Sequence, residues 1–326
     1  MPLPMRFTFV VVFALSVAGC SRSIQNSGTT HEQHPPAASA VLTDSKSWTM
    51  TSSVSRRAYQ ISVALPDSYT KEHTAYPVLY AADANAEFGM VVETARLLSF
   101  SKEIPDLVIV GIGYPNPGQG FKASNAPRTL DLTPTADPAW VSESSKPNLA
   151  QGIPPAEASG GAPEFLSFLR RELVPSIEQT YNVSHADHAW FGHSFGGLFG
   201  TWVLFHNEGL FQRFIIGSPS LWWNHRAIFS VEESFAASGN PLPARVFFSV
   251  GVLEQRMAPQ MPMVTDLRAF LGRVEKRGYK GLEFGSHFFD DETHGSVVPA
   301  TISKGLRFVY STSAPETALS RRPQNR

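Results

Sequence analysis

The sequence predicts an α/β domain in which a mostly parallel central sheet carries helices on both faces. Three observations lead there. Tyr76–Ala82 and Asp106–Ile112 are near-continuous apolar runs, which suit strands buried on both sides. Segments with helical spacing of apolar residues lie between and after such runs. Strand and helix then alternate toward the C-terminal end, which implies parallel pairing through crossover helices. With 326 residues, 42% of them hydrophobic, the chain has material for one sizeable core.

The elements follow in order. Tyr59–Leu65 alternates polar and apolar residues and stops at Pro66, so it reads as an edge strand. Ala86–Ser99 places Phe88, Val91, Val92, Ala95 and Leu98 on one side of a helix. Residues 116–161 break the rhythm with Pro, Ser, Ala and Asn. A loop of that length inside a domain is usually functional, and it is expected as an excursion near the site mouth, a candidate lid. Pro163–Tyr181 predicts a helix opened by Pro163, striped by Phe165, Leu166, Leu169, Leu173 and Ile177, and kinked at Pro175. His188–Gly192 is a short strand and Gly196–His206 the helix after it. Arg213–Ile216, Arg245–Val250 and Leu282–Phe289 are strands, and Asp266–Arg277 and Val298–Tyr310 are helices.

The N-terminal residues have another character. Met1–Arg6 is positively charged, Phe7–Val17 is apolar, and Ala18 and Gly19 precede Cys20, the one cysteine of the chain. That is the pattern of an export signal too short to span a bilayer. Val17-Ala18-Gly19-Cys20 resembles the lipobox of bacterial lipoproteins, which implies acylation of Cys20. Ser21 after it implies an outer-membrane anchor facing the periplasm. Residues 21–45 are polar and read as a flexible linker. His31 and His34 there are expected to be solvated rather than to hold a metal. The folded α/β domain is expected over residues 46–315, and 316–326 as a disordered tail. A single cysteine excludes an intrachain disulfide and a multi-cysteine zinc site. The 27 basic and 28 acidic residues, for a net charge of −1, exclude the basic footprint of a nucleic-acid binder.

Gly192-His193-Ser194-Phe195-Gly196 fits Gly-x-Ser-x-Gly between a short strand and a helix, the context of a nucleophile elbow. Glycines at 192 and 196 relieve clashes on the tight turn, and Gly197 eases packing of helix on strand. A serine needs a base, and its partners should follow in the order acid, then histidine. His294 lies after the last strand and before the last helix. His206, His225 and His287 sit on or near other elements. Glu254 ends the loop after the strand at 245–250, where an acid can orient the imidazole. Asp290, Asp291 and Glu292 compete for that role but stand too near His294 in sequence. An oxyanion hole needs two main-chain N–H groups. Phe195 is one donor, and Asn85 the other, with Ala84 as its neighbour.

Residues 50–311 resemble the Putative esterase (esterase D-like) family of α/β-hydrolases. The likeness rests on Pro77-Val78-Leu79-Tyr80 leading into Asp83-Ala84-Asn85, on Arg128-Thr129-Leu130-Asp131-Leu132-Thr133-Pro134 and on Phe165–Tyr181. It rests further on Gly192–Leu198, on Ser218-Pro219-Ser220-Leu221-Trp222-Trp223 and on His294-Gly295-Ser296-Val297. Joint occurrence of the Arg-x-x-Asp-x-Thr-Pro and Ser-Pro-Ser-x-Trp-Trp segments is similar to the enterobactin-type siderophore esterases. Two positions depart from the family: Ala84 stands where glycine is usual, and Val252 where a glutamate is frequent.

The resemblance implies an α/β-hydrolase fold and a serine hydrolase of carboxylic esters, siderophore trilactones among them. It implies no metal and no organic cofactor. The partners expected are a small-molecule ester and, through the anchor, the membrane. Transfer of the acyl group to a sugar or lipid hydroxyl, or an idle binding lipoprotein, would share the fold. Trp222 and Trp223 are candidates for the substrate pocket or for core packing. Arg128 is open to two roles, clamping an anionic substrate or pairing with Asp131. Met257, Met261 and Met263 suit either helix packing or a pocket edge.

Overall fold

The computed structural model describes residues 42–70, 72, 74–115, 121–140 and 158–311. Cys20 and its signal, the linker up to residue 41, the middle of the 116–161 excursion and the 316–326 tail lie outside the described residues. Eight strands form one sheet: β1 (Ser45–Thr51), β2 (Ala58–Ala64), β3 (Tyr76–Ala81), β4 (Val108–Gly113), β5 (Val183–His193), β6 (Arg213–Gly217), β7 (Ala244–Gly251) and β8 (Leu282–Phe289). Their order is β1-β2-β4-β3-β5-β6-β7-β8. β2 pairs antiparallel with β1 and β4, and every pair from β4 to β8 is parallel.

Successive side chains leave a strand on opposite faces, and the core divides accordingly. On one face Leu79, Ile109, Phe191, Ile215 and Phe247 meet α1 (Ala84–Phe100) and α9 (Val297–Tyr310) through Val91, Val92, Ile302 and Leu306. On the other, Val78, Tyr80, Trp190, Phe214 and Phe248 meet the remaining helices. These include α3 (Ala162–Phe168), α4 (Val174–Thr180), α5 (Phe195–Leu204), α6 (Trp223–Ser238) and α8 (Met263–Arg277), with the short α7 (Glu254–Met257) before α8. Parallel strands deliver all their following loops to one edge, where a site can assemble.

Four sequence expectations change. Tyr59–Leu65 is not an edge strand, because β1 pairs outside it. β1 carries only Trp48 and Met50 as large apolar residues in a polar stretch, so it left no strand signal. Leu42 already packs against the core, so the linker ends before 45. Part of the excursion is a helix, α2 (Phe121–Leu132), despite Pro127 inside it. Helix α6 is not among the expected elements, although Ile228, Val231 and Phe235 recur at helical spacing, and it starts through a left-handed turn at Asn224, His225 and Arg226 (φ 42°, 55° and 64°). The kink expected at Pro175 is a π turn, Leu169–Leu173, joining α3 to α4. Proline has no N–H to give and crowds the carbonyl one turn back, and the wider turn absorbs both.

Candidate active site

Ser194 stands between β5 and α5 with φ 60° and ψ −116°. A non-glycine residue holds such a conformation only when its surroundings fix it. Here the Ser194 N–H donates to the Gly217 carbonyl at 3.0 Å, while its own carbonyl accepts from Leu198 N at 2.9 Å and Ser220 N at 3.2 Å. A Cβ on Gly192 would stand 2.2 Å from the Gly196 carbonyl oxygen, and one on Gly197 2.6 Å from that of Gly217. Gly196 differs from the expectation: a Cβ there would meet Ala82 Cβ at 3.3 Å, tight but not closed. The elbow therefore depends on Gly192 and Gly197 more than on Gly196.

The loops after β7 and β8 bring Glu254 to His294. Nδ1 of His294 lies 2.7 Å from Glu254 Oε2. Oε1 of the same carboxylate accepts from Ser218 Oγ at 2.6 Å and from Gly251 N at 2.7 Å. Glu254 is buried, and His294 is half exposed toward the cavity. Gly251 permits this approach, since a Cβ there would fall 2.4 Å from the Glu292 carbonyl oxygen. Among the competing acids, Glu292 instead accepts from Ser296 Oγ. Ser218, invisible as a site residue in the sequence, is the second side chain on the acid.

The ring of His193, the residue before Ser194, is buried 4.5 Å from the His294 ring. Neither of its nitrogens makes a hydrogen bond, although the His294 main chain lies near enough to favour protonation slightly. Burial, helped to a lesser degree by the electrostatic effect of His294 and Arg128, pushes this imidazole well below the usual histidine range. It is neutral at pH 7.

After β3 the chain turns into α1 at Asp83, which has the left-handed φ of 54°. Ala84 is the first helical residue, so the left-handed position is not the one where glycine is replaced. Asn85 clamps the end of β4: its Nδ2 donates to the Tyr114 carbonyl at 2.8 Å, and Tyr114 N donates to its Oδ1 at 2.7 Å. The N–H groups of Ala84, Asn85 and Phe195 belong to first helical turns, which have no intrahelical acceptor.

Arg128 does not pair with Asp131. Its Nε and Nη2 donate to the two carboxylate oxygens of Asp83 at 2.6 and 2.8 Å, with both side chains buried. Asp131 meets Arg57 at 2.8 Å and the Tyr114 hydroxyl at 3.1 Å, and burial pushes its carboxyl up to about 7. Asp83, on the turn into α1, takes both nitrogens of the fork, and Arg57 takes Asp131.

A cavity of about 340 Å³ opens on Ser194 and His294. Trp140, Phe195, Trp222, Met257, Met261 and Met263 line its apolar walls. The methionines are thus pocket residues, and Trp222 is held by an Nε1–Sδ contact of 3.1 Å to Met263. Trp223 is not: it is buried and donates to the Thr135 carbonyl at 2.9 Å. Trp140, an aromatic alone in a Pro- and Ser-rich stretch, was the missed wall residue. Among the described residues, no group of three or more His, Cys, Asp and Glu side chains is placed to hold a metal ion.

The Putative esterase family model matches residues 52–295. Ferri-bacillibactin esterase BesA of Bacillus subtilis is 32% identical over 83% of this chain and 91% of its own. A siderophore enterobactin esterase of Emericella nidulans is 31% identical over 78% and 90% respectively. Among solved structures, the BES protein of Bacillus cereus superposes with a TM-score of 0.72 at 31% identity, covering 85% of this chain and 98% of that one. Siderophore hydrolase EstB of Aspergillus nidulans gives 0.72 at 25%, covering 86% and 100%. Fold and relatives together define an α/β-hydrolase acting on carboxylic esters. The chain belongs to the Putative esterase family.

Proposed function

We propose that the protein hydrolyses a carboxylic ester through an acyl-enzyme on a Ser194–His294–Glu254 triad. The observation carrying this reading is the 2.7 Å contact of His294 Nδ1 with a buried, doubly anchored Glu254, in the cavity that Ser194 lines. Ser194 Oγ attacks the ester carbonyl carbon and its proton passes to His294 Nε2. Glu254 holds the Nδ1–H tautomer and stabilises the imidazolium. The oxyanion accepts from the N–H groups of Phe195 and Asn85. Collapse expels the alcohol, which takes the proton from His294. Water, deprotonated by His294, then attacks the acyl-enzyme and regenerates Ser194. Neutral His193 adds no charge against the imidazolium.

The substrate we infer is a siderophore ester, a trilactone in particular, as the names of the relatives suggest. The apolar walls suit an aromatic acyl group, which an indole such as Trp222 can stack. Iron in such a substrate is cargo. The test is turnover of ferric and iron-free trilactone siderophores beside simple and sugar esters, with Ser194→Ala as the control. Faster transfer to an added alcohol than to water would favour an acyltransferase. We further propose that Cys20 carries a lipid anchor in the outer membrane. Its support is the sequence pattern, and loss of acyl labelling in Cys20→Ser tests it.

A further inference from the structure

Arg128 touches both segments that supply the proposed oxyanion donors. It grips both carboxylate oxygens of Asp83, and its guanidinium carbon lies 5.3 Å from the centre of the Phe195 ring. Asp83 is the N-cap residue of α1. An aspartate there ordinarily turns its side chain onto the N–H two or three residues on, which here means Asn85 or Ala86. Asp83 makes no such capping bond. Ala86 N and Glu87 N reach its main-chain carbonyl instead, at 3.0 and 3.1 Å. The carboxylate is turned away, toward Arg128.

Glu87, one turn into α1, is buried in the same cluster. Burial and the Asp83 charge push its carboxyl well above the usual carboxylate range, and the Arg128 fork goes to Asp83. A left-handed aspartate is costly and needs its surroundings to fix it.

We propose that Arg128 is the positioning residue of the oxyanion hole. By occupying both Asp83 carboxylate oxygens it fixes the left-handed turn and stops Asp83 from capping the Asn85 N–H, which stays open to the substrate oxyanion. The segment after β4 thereby holds the electrostatics of a site it does not enter chemically. This rests on the triad reading above. That reading is tested separately, because Ser194→Ala must abolish turnover whatever Arg128 does.

The experiment compares wild type, Arg128→Lys, Arg128→Met and the double variant Asp83→Gly/Arg128→Met in the full chain. It measures kcat and KM on p-nitrophenyl butyrate, Ki for phenylboronic acid, which forms a tetrahedral adduct on the serine, and the unfolding midpoint. Arg128→Lys keeps the charge but loses the fork. It should lower kcat about 10- to 100-fold, less than the 10²–10³ of a deleted donor, and raise the boronate Ki in proportion with KM near wild type. The double variant removes the competing carboxylate and gives the left-handed position a glycine, so it should recover kcat over Arg128→Met. Wild-type kcat in folded Arg128→Lys overturns the proposal. So does a raised KM with unchanged boronate Ki, which would mean direct substrate contact. If Arg128→Lys does not fold, a folded double variant without recovered activity overturns it as well.

Discussion

Glu254 Oε2 and His294 Nδ1 stand 2.7 Å apart across the loops that leave β7 and β8. The acid comes to the histidine already fixed, because Ser218 Oγ and Gly251 N hold its other oxygen at 2.6 and 2.7 Å. Hydrogen bonds to a charged group contribute about 1.5–3 kcal/mol each. Glu254→Gln should therefore preserve the fold yet cut kcat by as much as about 10⁴-fold, through the wrong imidazole tautomer. Ser218→Ala, with Gly251 N still in place, should cost less kcat than that. Steady-state rates on p-nitrophenyl butyrate, with circular dichroism for the fold, check both.

Two glycines of one motif should respond differently to the same methyl group. Gly192→Ala forces a Cβ to within 2.2 Å of a backbone oxygen, so soluble expression or activity should be lost. Gly196→Ala meets Ala82 Cβ at 3.3 Å and should remain folded with measurable turnover. Expression yield and unfolding midpoints of the pair give the answer.

His193 should make the fold sensitive to acid. Its native imidazole titrates well below the ordinary value of 6.5, so below that pH the unfolded chain holds a proton that the native state does not. The native advantage is complete above 6.5 and shrinks as pH falls, by up to about 1.4 kcal/mol per pH unit from this one group. Urea unfolding at pH 7, 6 and 5 should show that decline in wild type and a shallower one in His193→Phe.

Met257 offers a test of the cavity wall without disturbing the core, since it is 72% exposed. Met257→Glu places a carboxylate on an apolar wall. KM for the butyrate ester should rise relative to the acetate ester, with the unfolding midpoint unchanged. Equal KM ratios would place the acyl group elsewhere.

Much of this was legible in the sequence, for physical reasons. β3 and β4 were legible because strands buried on both faces must be apolar throughout, and the bounds read for Leu282–Phe289 are those of β8, although that edge strand is only half buried. Ser194 was legible from the Gly-x-Ser-x-Gly spacing of Gly192 and Gly196 between strand and helix, although Gly192 and Gly197 are the positions its turn most requires. His294 and Glu254 followed from chain order and the carboxyl edge of the sheet. The misses share a cause as well. β1 pairs at a solvated edge, and α2 includes Pro127, so neither has an apolar period to read. Arg128 and Asp83 stand far apart in sequence, and only the fold shows that Asp83, not Asp131, is the acid within reach. Ser218 looks like any turn serine until Glu254 is beside it.

The central claim is that Ser194 is the nucleophile. The most direct measurement is the intact mass and peptide map of the protein after a fluorophosphonate, together with p-nitrophenyl butyrate turnover, in wild type and Ser194→Ala. The account predicts one adduct on Ser194 in wild type, with neither adduct nor turnover in the variant. Turnover by Ser194→Ala equal to wild type, or an adduct on another residue that accounts for the inhibition, would contradict it.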